Sequence, residues 1–152
     1  MESENTTAMS QELFSLLRKT SRLKLTEGNN RGLKPSECEL LGILYLNLMS
    51  GTKLLPASTL SQQLNITPAG VTHRLNALQD TGYIKRQKSA EDRRYILVGL
   101  TQKGKKQADI VLKNTYQNLD QLIDLWGEAD SQVFIRLMSG LIDFYSSDPE
   151  PF

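Results

Sequence analysis

The sequence predicts a mainly α-helical fold that carries one small β-hairpin. Apolar residues recur at steps of three and four along most of the chain, which is typical of amphipathic helices. Between Leu55 and Thr101 the pattern changes, because two short helical segments are followed by a stretch in which apolar and polar residues alternate. Helix, turn, helix and hairpin in this order form a winged helix-turn-helix, here flanked by helices on both sides.

The composition limits the class of protein. A chain of 152 residues, 39% hydrophobic and 23% charged, is long enough for one globular core. No apolar run approaches the roughly 20 residues of a membrane span, and the polar start does not resemble a signal peptide, so we expect a cytoplasmic protein without a membrane partner. Neither the single Cys38 nor the single His73 lies in a cluster with metal-ligand spacing, and we expect no metal or cofactor.

The first two helices are predicted from apolar spacing and end signals. Residues 10 to about 25 form an amphipathic helix, which the polar run TEGNNRG ends. The segment Lys34-Pro35-Ser36 opens the second helix, which closes near Ser50-Gly51 and should lie deep in the core. Its apolar residues are Leu40, Leu41, Ile43, Leu44, Leu48 and Met49.

The helix-turn-helix and its hairpin come next. The third helix spans Pro56 to Leu64, and the fourth begins at Pro68 with Thr67 as its cap and ends at Gly82. The hairpin strands are residues 83–87 and 94–100. Alternation along the second strand places three side chains inward: Ile96, Val98 and Leu100.

Two further helices follow the hairpin. Thr101 can cap a long one that Gly127 ends, and the last spans about residues 130–145. The chain therefore divides into a helical region, residues 1–32 and 107–146, a winged helix-turn-helix lobe, residues 33–106, and a disordered tail, residues 147–152.

Positive charge is confined to the winged segment. Residues 66–106 contain nine basic and three acidic residues, a net charge of +6, whereas residues 107–152 carry a net charge of −6. A solvated charged face is the ordinary explanation of such a run, but it does not explain why the charge coincides with the hairpin. Backbone phosphates would select this pattern, because each neutralised phosphate releases condensed counterions.

The hairpin carries a family signature. Residues 92–104 read DRRYILVGLTQKG. With helices on both sides, this resembles the MarR family of bacterial transcription regulators, whose wing commonly reads D-x-R, a β-strand, then L-T-x-x-G. The resemblance covers roughly residues 10–146. It implies a homodimer joined by the first, fifth and sixth helices, in which each subunit offers its fourth helix to a major groove of double-stranded DNA and its wing to a minor groove. The implied function is repression of a pseudo-palindromic promoter site.

One face of the fourth helix is predicted to contact DNA, while Val71, Leu75 and Leu78 seal the other face to the core. Small residues near the helix start let backbone amides approach phosphates, and the polar side chains that follow can bond to base edges. The predicted contacts are Thr67, Ala69, Gly70, Thr72, His73, Arg74 and Asn76. The family often has arginine at His73, so an ordinary surface histidine remains the alternative there. The stem of Arg74 should lie along the protein with its guanidinium reaching phosphate.

The wing supplies a second set of predicted DNA contacts. The resemblance implies that Asp92 orients the wing arginines and that one arginine, matched by Arg94, enters the minor groove. An exposed ion pair of little energetic value is the alternative. The predicted wing residues are Arg86, Lys88, Asp92, Arg93 and Arg94.

The resemblance also implies a small aromatic or anionic effector in a cleft between the dimerisation helices and the DNA-binding lobe. Candidate lining residues are Leu13, Leu17, Tyr45 and Met49, although apolar residues at helical spacing are more often core. Cys38 is expected to be a buried or half-buried residue rather than a redox sensor, because Glu37 and Glu39 should raise its pKa.

Two other classes of function remain open. A winged helix can also be a protein-docking or RNA-binding module. Catalysis is disfavoured, because the sequence has no Gly-rich phosphate loop or serine elbow and its carboxylates are scattered over exposed faces.

Overall fold

The computed structural model describes residues 2–21, 23 and 30–146, with side chains from Thr6 onward. The predicted disordered tail and the first four residues of TEGNNRG lie outside these residues. The elements in chain order are α1 Glu2–Thr20, α2 Pro35–Met49, β1 Leu55–Pro56, α3 Ala57–Leu64, α4 Pro68–Asp80, β2 Ile84–Lys88, β3 Ile96–Leu100, α5 Gln102–Trp126 and α6 Glu128–Ser146.

A three-stranded antiparallel sheet supports the hairpin, with β3 between β1 and β2. The hairpin register runs from the pair Ile84 and Leu100 to the pair Lys88 and Ile96. The sequence analysis missed β1, because a two-residue strand that contains a proline shows no alternation. Its residue Leu55 pairs with Val98 and is buried, so β1 closes the sheet against the core.

The core lies between α2, α3, α4, the sheet and the first half of α5. Its fully buried side chains come from each of these elements and include Leu40, Leu41, Leu60, Leu75, Leu78 and Val98. The central position predicted for α2 is therefore confirmed, with one exception. Met49 is 70% exposed, because it is the last residue of the helix and lies beyond the part of α2 that the core covers.

Several predicted boundaries were wrong by short distances. Helix α1 begins at Glu2 rather than at residue 10, and it ends at Thr20 rather than near residue 25. The hydroxyls of Thr20 and Ser21 donate to carbonyls of the last turn, which favours an end there. Ile96 is 37% exposed rather than inward, because it pairs near the tip of the hairpin, beyond the core.

The outer helices leave much apolar surface uncovered. None of the side chains described in α1 is buried, and Phe14 is 63% exposed. Gly127, at φ 81°, ends α5 as predicted, and α6 folds back so that the Trp126 and Phe134 rings meet edge to face at 5.0 Å. Beyond that contact, Leu125 and Phe144 remain more than 70% exposed. No helix among the described residues is long and apolar enough to cross a membrane.

Candidate nucleic-acid interface

Helix α4 is oriented by its cap and by its buried face. The Thr67 hydroxyl oxygen accepts the Gly70 amide at 3.1 Å, and Pro68 occupies the first helical position, as predicted. A Cβ on residue 70 would lie 3.3 Å from that hydroxyl oxygen, so this turn favours glycine. Val71 and Leu75 are buried at 1% and 2% exposure, so the opposite face of the helix points outward.

The outward face of α4 presents polar side chains. Thr72, His73 and Asn76 are exposed, as is Ala69 in the first turn. The Thr72 hydroxyl donates to the Pro68 carbonyl at 3.0 Å, so its proton is used within the helix and its oxygen can still accept. The face can therefore both accept and donate hydrogen bonds.

Arg74 is paired with helix α2 in the structure. Its guanidinium lies 3.3 Å from a Glu39 carboxylate oxygen and 3.5 Å from the Ser36 carbonyl oxygen, and the side chain is only 20% exposed. The stem follows the protein as predicted, but the charge meets α2 instead of lying free for phosphate. Arg74 therefore ties α4 to α2. Sequence analysis could not place Glu39, which lies on another helix, beside it.

A side chain of the wing contacts the outward face of α4. Arg86, on β2, donates through Nη2 to Asn76 Oδ1 at 2.6 Å and through Nε to Gln79 Oε1. The sequence analysis placed Arg86 and Asn76 in the interface separately and missed Gln79. Its spacing from Thr72 and Asn76, seven and three residues, is a signal that could have found it, because such positions share one helix face.

The tip of the wing holds a braced arginine. Arg94 donates to the Asp92 carboxylate from its backbone amide at 3.0 Å and from its guanidinium, with the shortest contact 2.7 Å from Nη2 to Oδ2. The guanidinium beside it lowers the pKa of Asp92, and the carboxylate raises the pKa of Arg94. The Ser89 hydroxyl oxygen accepts the Asp92 amide at 3.5 Å, which fixes the turn. Arg93 and Lys88 are exposed.

One hydroxyl joins the end of α4, the start of the wing and the start of α5. Thr101 Oγ1 accepts the Gly104 amide at 3.0 Å, as an N-cap does, and donates to the Gly82 carbonyl at 2.7 Å. The Lys103 ammonium donates to the Thr81 carbonyl and lies 4.6 Å from the centroid of the Tyr83 ring. Lys103 therefore serves packing, although it adds to the positive charge of the segment.

A cavity of about 420 Å³ opens between α2 and α5. Its lining is mostly apolar and includes Leu23, Ile43, Leu46, Val111 and Leu112. None of the four residues predicted to line a ligand cleft is part of it. Met49 and Leu13 are exposed, Leu17 is half-buried on α1, and the Tyr45 hydroxyl lies 3.5 Å from an Asp109 carboxylate oxygen.

Cys38 is a buried thiol at the edge of that cavity. Burial, with the charge of Glu37, raises its pKa to about 11, so the nucleophilic thiolate is scarce at neutral pH. The expectation of a buried residue is confirmed. No cluster of three or more metal-ligating side chains occurs in the part of the chain that the structure describes.

Comparison with known proteins gives the same architecture. A family model described as a winged helix DNA-binding domain matches residues 41–121. The HTH-type transcriptional repressor YetL of Bacillus subtilis (strain 168) is 22% identical over 131 residues, which cover 86% of this chain and 77% of YetL. The YdgJ protein of the same organism, an uncharacterized HTH-type transcriptional regulator, is 29% identical over 108 residues, 71% of this chain and 63% of YdgJ.

Solved structures share the fold. The S. aureus MepR–DNA complex superposes with a TM-score of 0.72 at 19% identity and covers 90% of this chain and 98% of that one. Streptococcus pneumoniae FabT, solved in complex with DNA, has a TM-score of 0.65 at 21% identity and covers 93% and 96%. These similarities extend over the flanking helices as well as over the matched domain.

Proposed function

Because the chain belongs to the family of winged helix DNA-binding domains, we propose that it is a sequence-specific transcription regulator that represses from a pseudo-palindromic promoter site. One observation carries the proposal. The polar face of α4 and the braced Arg94 of the wing both lie in the segment of net charge +6. A helix that reads base edges and a wing whose cations contact the backbone and the minor groove are the two parts of a sequence-specific interface of this kind.

Most of the predicted contacts receive a role in this proposal. Thr72, His73 and Asn76 read base edges, and the first turn of α4, with Thr67, Ala69 and Gly70, faces a phosphate. In the wing, Arg94 enters the minor groove, Asp92 orients it, and Lys88 and Arg93 contact the backbone. Arg74 is left out of this set, because its charge is paired with Glu39.

Two copies of the chain are needed to read a palindrome. We propose that residues 1–32 and 107–146 form the dimerisation region and that residues 33–106 form the DNA-binding lobe. Support comes from the uncovered apolar side chains of α1, α5 and α6, since exposed apolar patches of this kind mark interfaces. A cytoplasmic location and a role without catalysis belong to the same proposal.

We also propose a binding site for a small-molecule effector. The cavity between α2 and α5 has the size of a small-molecule site, for which about 300–1,000 Å³ is usual. Among the described residues that line it, Glu39 alone is charged, and its carboxylate is paired with Arg74. The mostly apolar lining therefore favours an aromatic compound, and its binding would release DNA.

Selection from a random DNA library, followed by binding measurements, tests the function. We expect an enriched palindromic sequence, bound far more tightly than its scrambled version, with an affinity for both that falls steeply between two salt concentrations. Equal, salt-sensitive binding of both sequences would contradict sequence-specific regulation. If the protein does not bind double-stranded DNA but does bind RNA or another protein, the alternative of a protein-docking or RNA-binding module would be favoured.

A further inference from the structure

Arg86 lies between the wing and helix α4. Its guanidinium donates to two side-chain amides of α4, those of Asn76 and Gln79. Arg86 is half-buried, whereas both amide residues are exposed on the outward face of the helix. The arginine therefore reaches that face from the side of the wing and leaves the amides accessible.

The chemistry of the guanidinium determines how the amides are turned. A guanidinium has five N–H donors and no acceptor, so only the oxygen of an amide can face it favourably. The nitrogen of each amide then points away from Arg86. This orientation does not depend on distinguishing oxygen from nitrogen by shape, because the reversed amide would place donor against donor.

We infer that Arg86 is a positioning residue that fixes Asn76 and Gln79 with their oxygens toward the wing and their NH2 groups free to donate, so that the base preference of α4 depends on Arg86. This inference rests on the proposed function. In the major groove, guanine N7 and O6, adenine N7 and thymine O4 are acceptors for such a donor. The two-bond contact of one amide with adenine also uses the amide oxygen, which here already accepts from Arg86.

Library selection on the wild-type chain and three variants tests the inference. Asn76→Ala and Gln79→Ala identify the base positions that each amide contacts, because preference at that position is lost. Arg86→Met should reduce the preference at these positions by about fivefold or more, since a good base contact discriminates by at least that factor.

Lys85→Met is the matched control. It removes one positive charge from the neighbouring position of β2, where the side chain points to the opposite face of the strand. We expect weaker binding to all sequences and an unchanged base preference. Arg86→Lys is a second variant for the case that Arg86→Met fails to fold. It keeps the charge, but one ammonium cannot reproduce the planar contact with both amides, so preference should fall at one position or both.

The outcomes separate this inference from the proposed function. A wild-type protein that enriches no sequence overturns the proposed function, and this inference with it. A protein that enriches a palindrome overturns the inference alone if its folded Arg86→Met or Arg86→Lys variant keeps the full preference of the wild type. The same holds if Lys85→Met reduces that preference as much as Arg86→Met does.

Discussion

Arg94 Nε lies 3.1 Å from both carboxylate oxygens of Asp92, and Arg94 Nη2 lies 2.7 Å from Oδ2. The Arg94 side chain is nevertheless 87% exposed. An ion pair this exposed adds little to the stability of the fold. The ion pair instead orients the Arg94 side chain, because the Asp92 carboxylate holds the guanidinium in one place before DNA binds.

Replacement of Arg94 with alanine should weaken DNA binding strongly and leave the fold intact. The slope of log affinity against log salt concentration should decrease by about one phosphate contact. Arg93→Ala is the comparison, and it should cost less because Asp92 braces Arg94 and not Arg93. Fluorescence anisotropy at several salt concentrations measures both. Binding of Arg94→Ala as tight as wild type at physiological salt would remove the proposed role.

Asp92 should stay ionised well into the acid range. Arg94 lowers the pKa of Asp92 in the folded protein. The small contribution of this ion pair to the stability of the folded state is therefore present above the ordinary carboxyl pKa of about 4, and it is lost as the pH falls through the lower pKa of the folded protein. DNA affinity between pH 5 and 8 should therefore show no step from Asp92. Carboxyl NMR titration checks the direction, and Arg94→Met should raise the pKa toward the ordinary range, while the backbone amide of residue 94 still donates to the carboxylate. An unchanged titration in that variant would exclude the Arg94 side chain as the main cause.

His73 should contribute to sequence reading rather than to general affinity. His73→Ala should weaken binding to the selected site by on the order of 1–3 kcal/mol of binding free energy and should change binding to scrambled DNA little. The reason is that only the selected site offers the matching base edge. Lys88→Ala should reduce affinity for both DNAs alike. Competition binding with the two DNAs makes the comparison. An equal loss on both at His73 would make it an ordinary surface histidine.

Gly104 should tolerate no side chain. A Cβ there would lie 1.8 Å from the Tyr83 carbonyl oxygen, so Gly104→Ala forces backbone apart and should destabilise the fold by about 1–3 kcal/mol or more. Gly140→Ala, in α6, meets no atom within 4 Å and should stabilise by up to about 1 kcal/mol through helix propensity. Urea unfolding of both measures the difference. Equal stability of the two variants would contradict the close approach of Gly104 to the Tyr83 carbonyl.

The free protein should be a dimer at micromolar concentration. Leu125, which is 78% exposed on α5, should lie in or near the interface, so Leu125→Glu should shift the equilibrium toward monomer. Gln117→Glu, an exposed polar position on the same helix, adds the same charge and should leave the dimer intact. Light scattering after size-exclusion chromatography distinguishes the two. A monomeric wild-type protein would contradict the proposed assembly.

Local signals predicted most of the fold. Thr67 and Thr101 both cap helices where a hydroxyl residue precedes a helical pattern, and Gly127 ends one with positive φ. Such ends depend on residues within one turn, which a sequence displays directly. The hairpin followed from alternation, whereas β1 did not, because its two residues become a strand only by pairing with β3.

The candidate site was less accessible to prediction. Sequence placed Arg74, Asn76 and Arg86 in one basic segment, but it could not tell which charges face solvent. Arg74 meets Glu39 from a different helix, and Arg86 meets Asn76 across the turn between α4 and β2. These partners are brought together by tertiary packing, which no spacing rule encodes.

The hydroxyl of Thr101 has a mechanical consequence. It holds the end of α4 to the first turn of α5, and Lys103 adds a second link to Thr81. In a dimer built on α5, each α4 would therefore move together with the start of its own α5. Any ligand or mutation that changes the angle between the two α5 helices would change the distance between the two copies of α4. The spacing of half-sites that the dimer tolerates would thus be set at the α5 interface, far from the DNA.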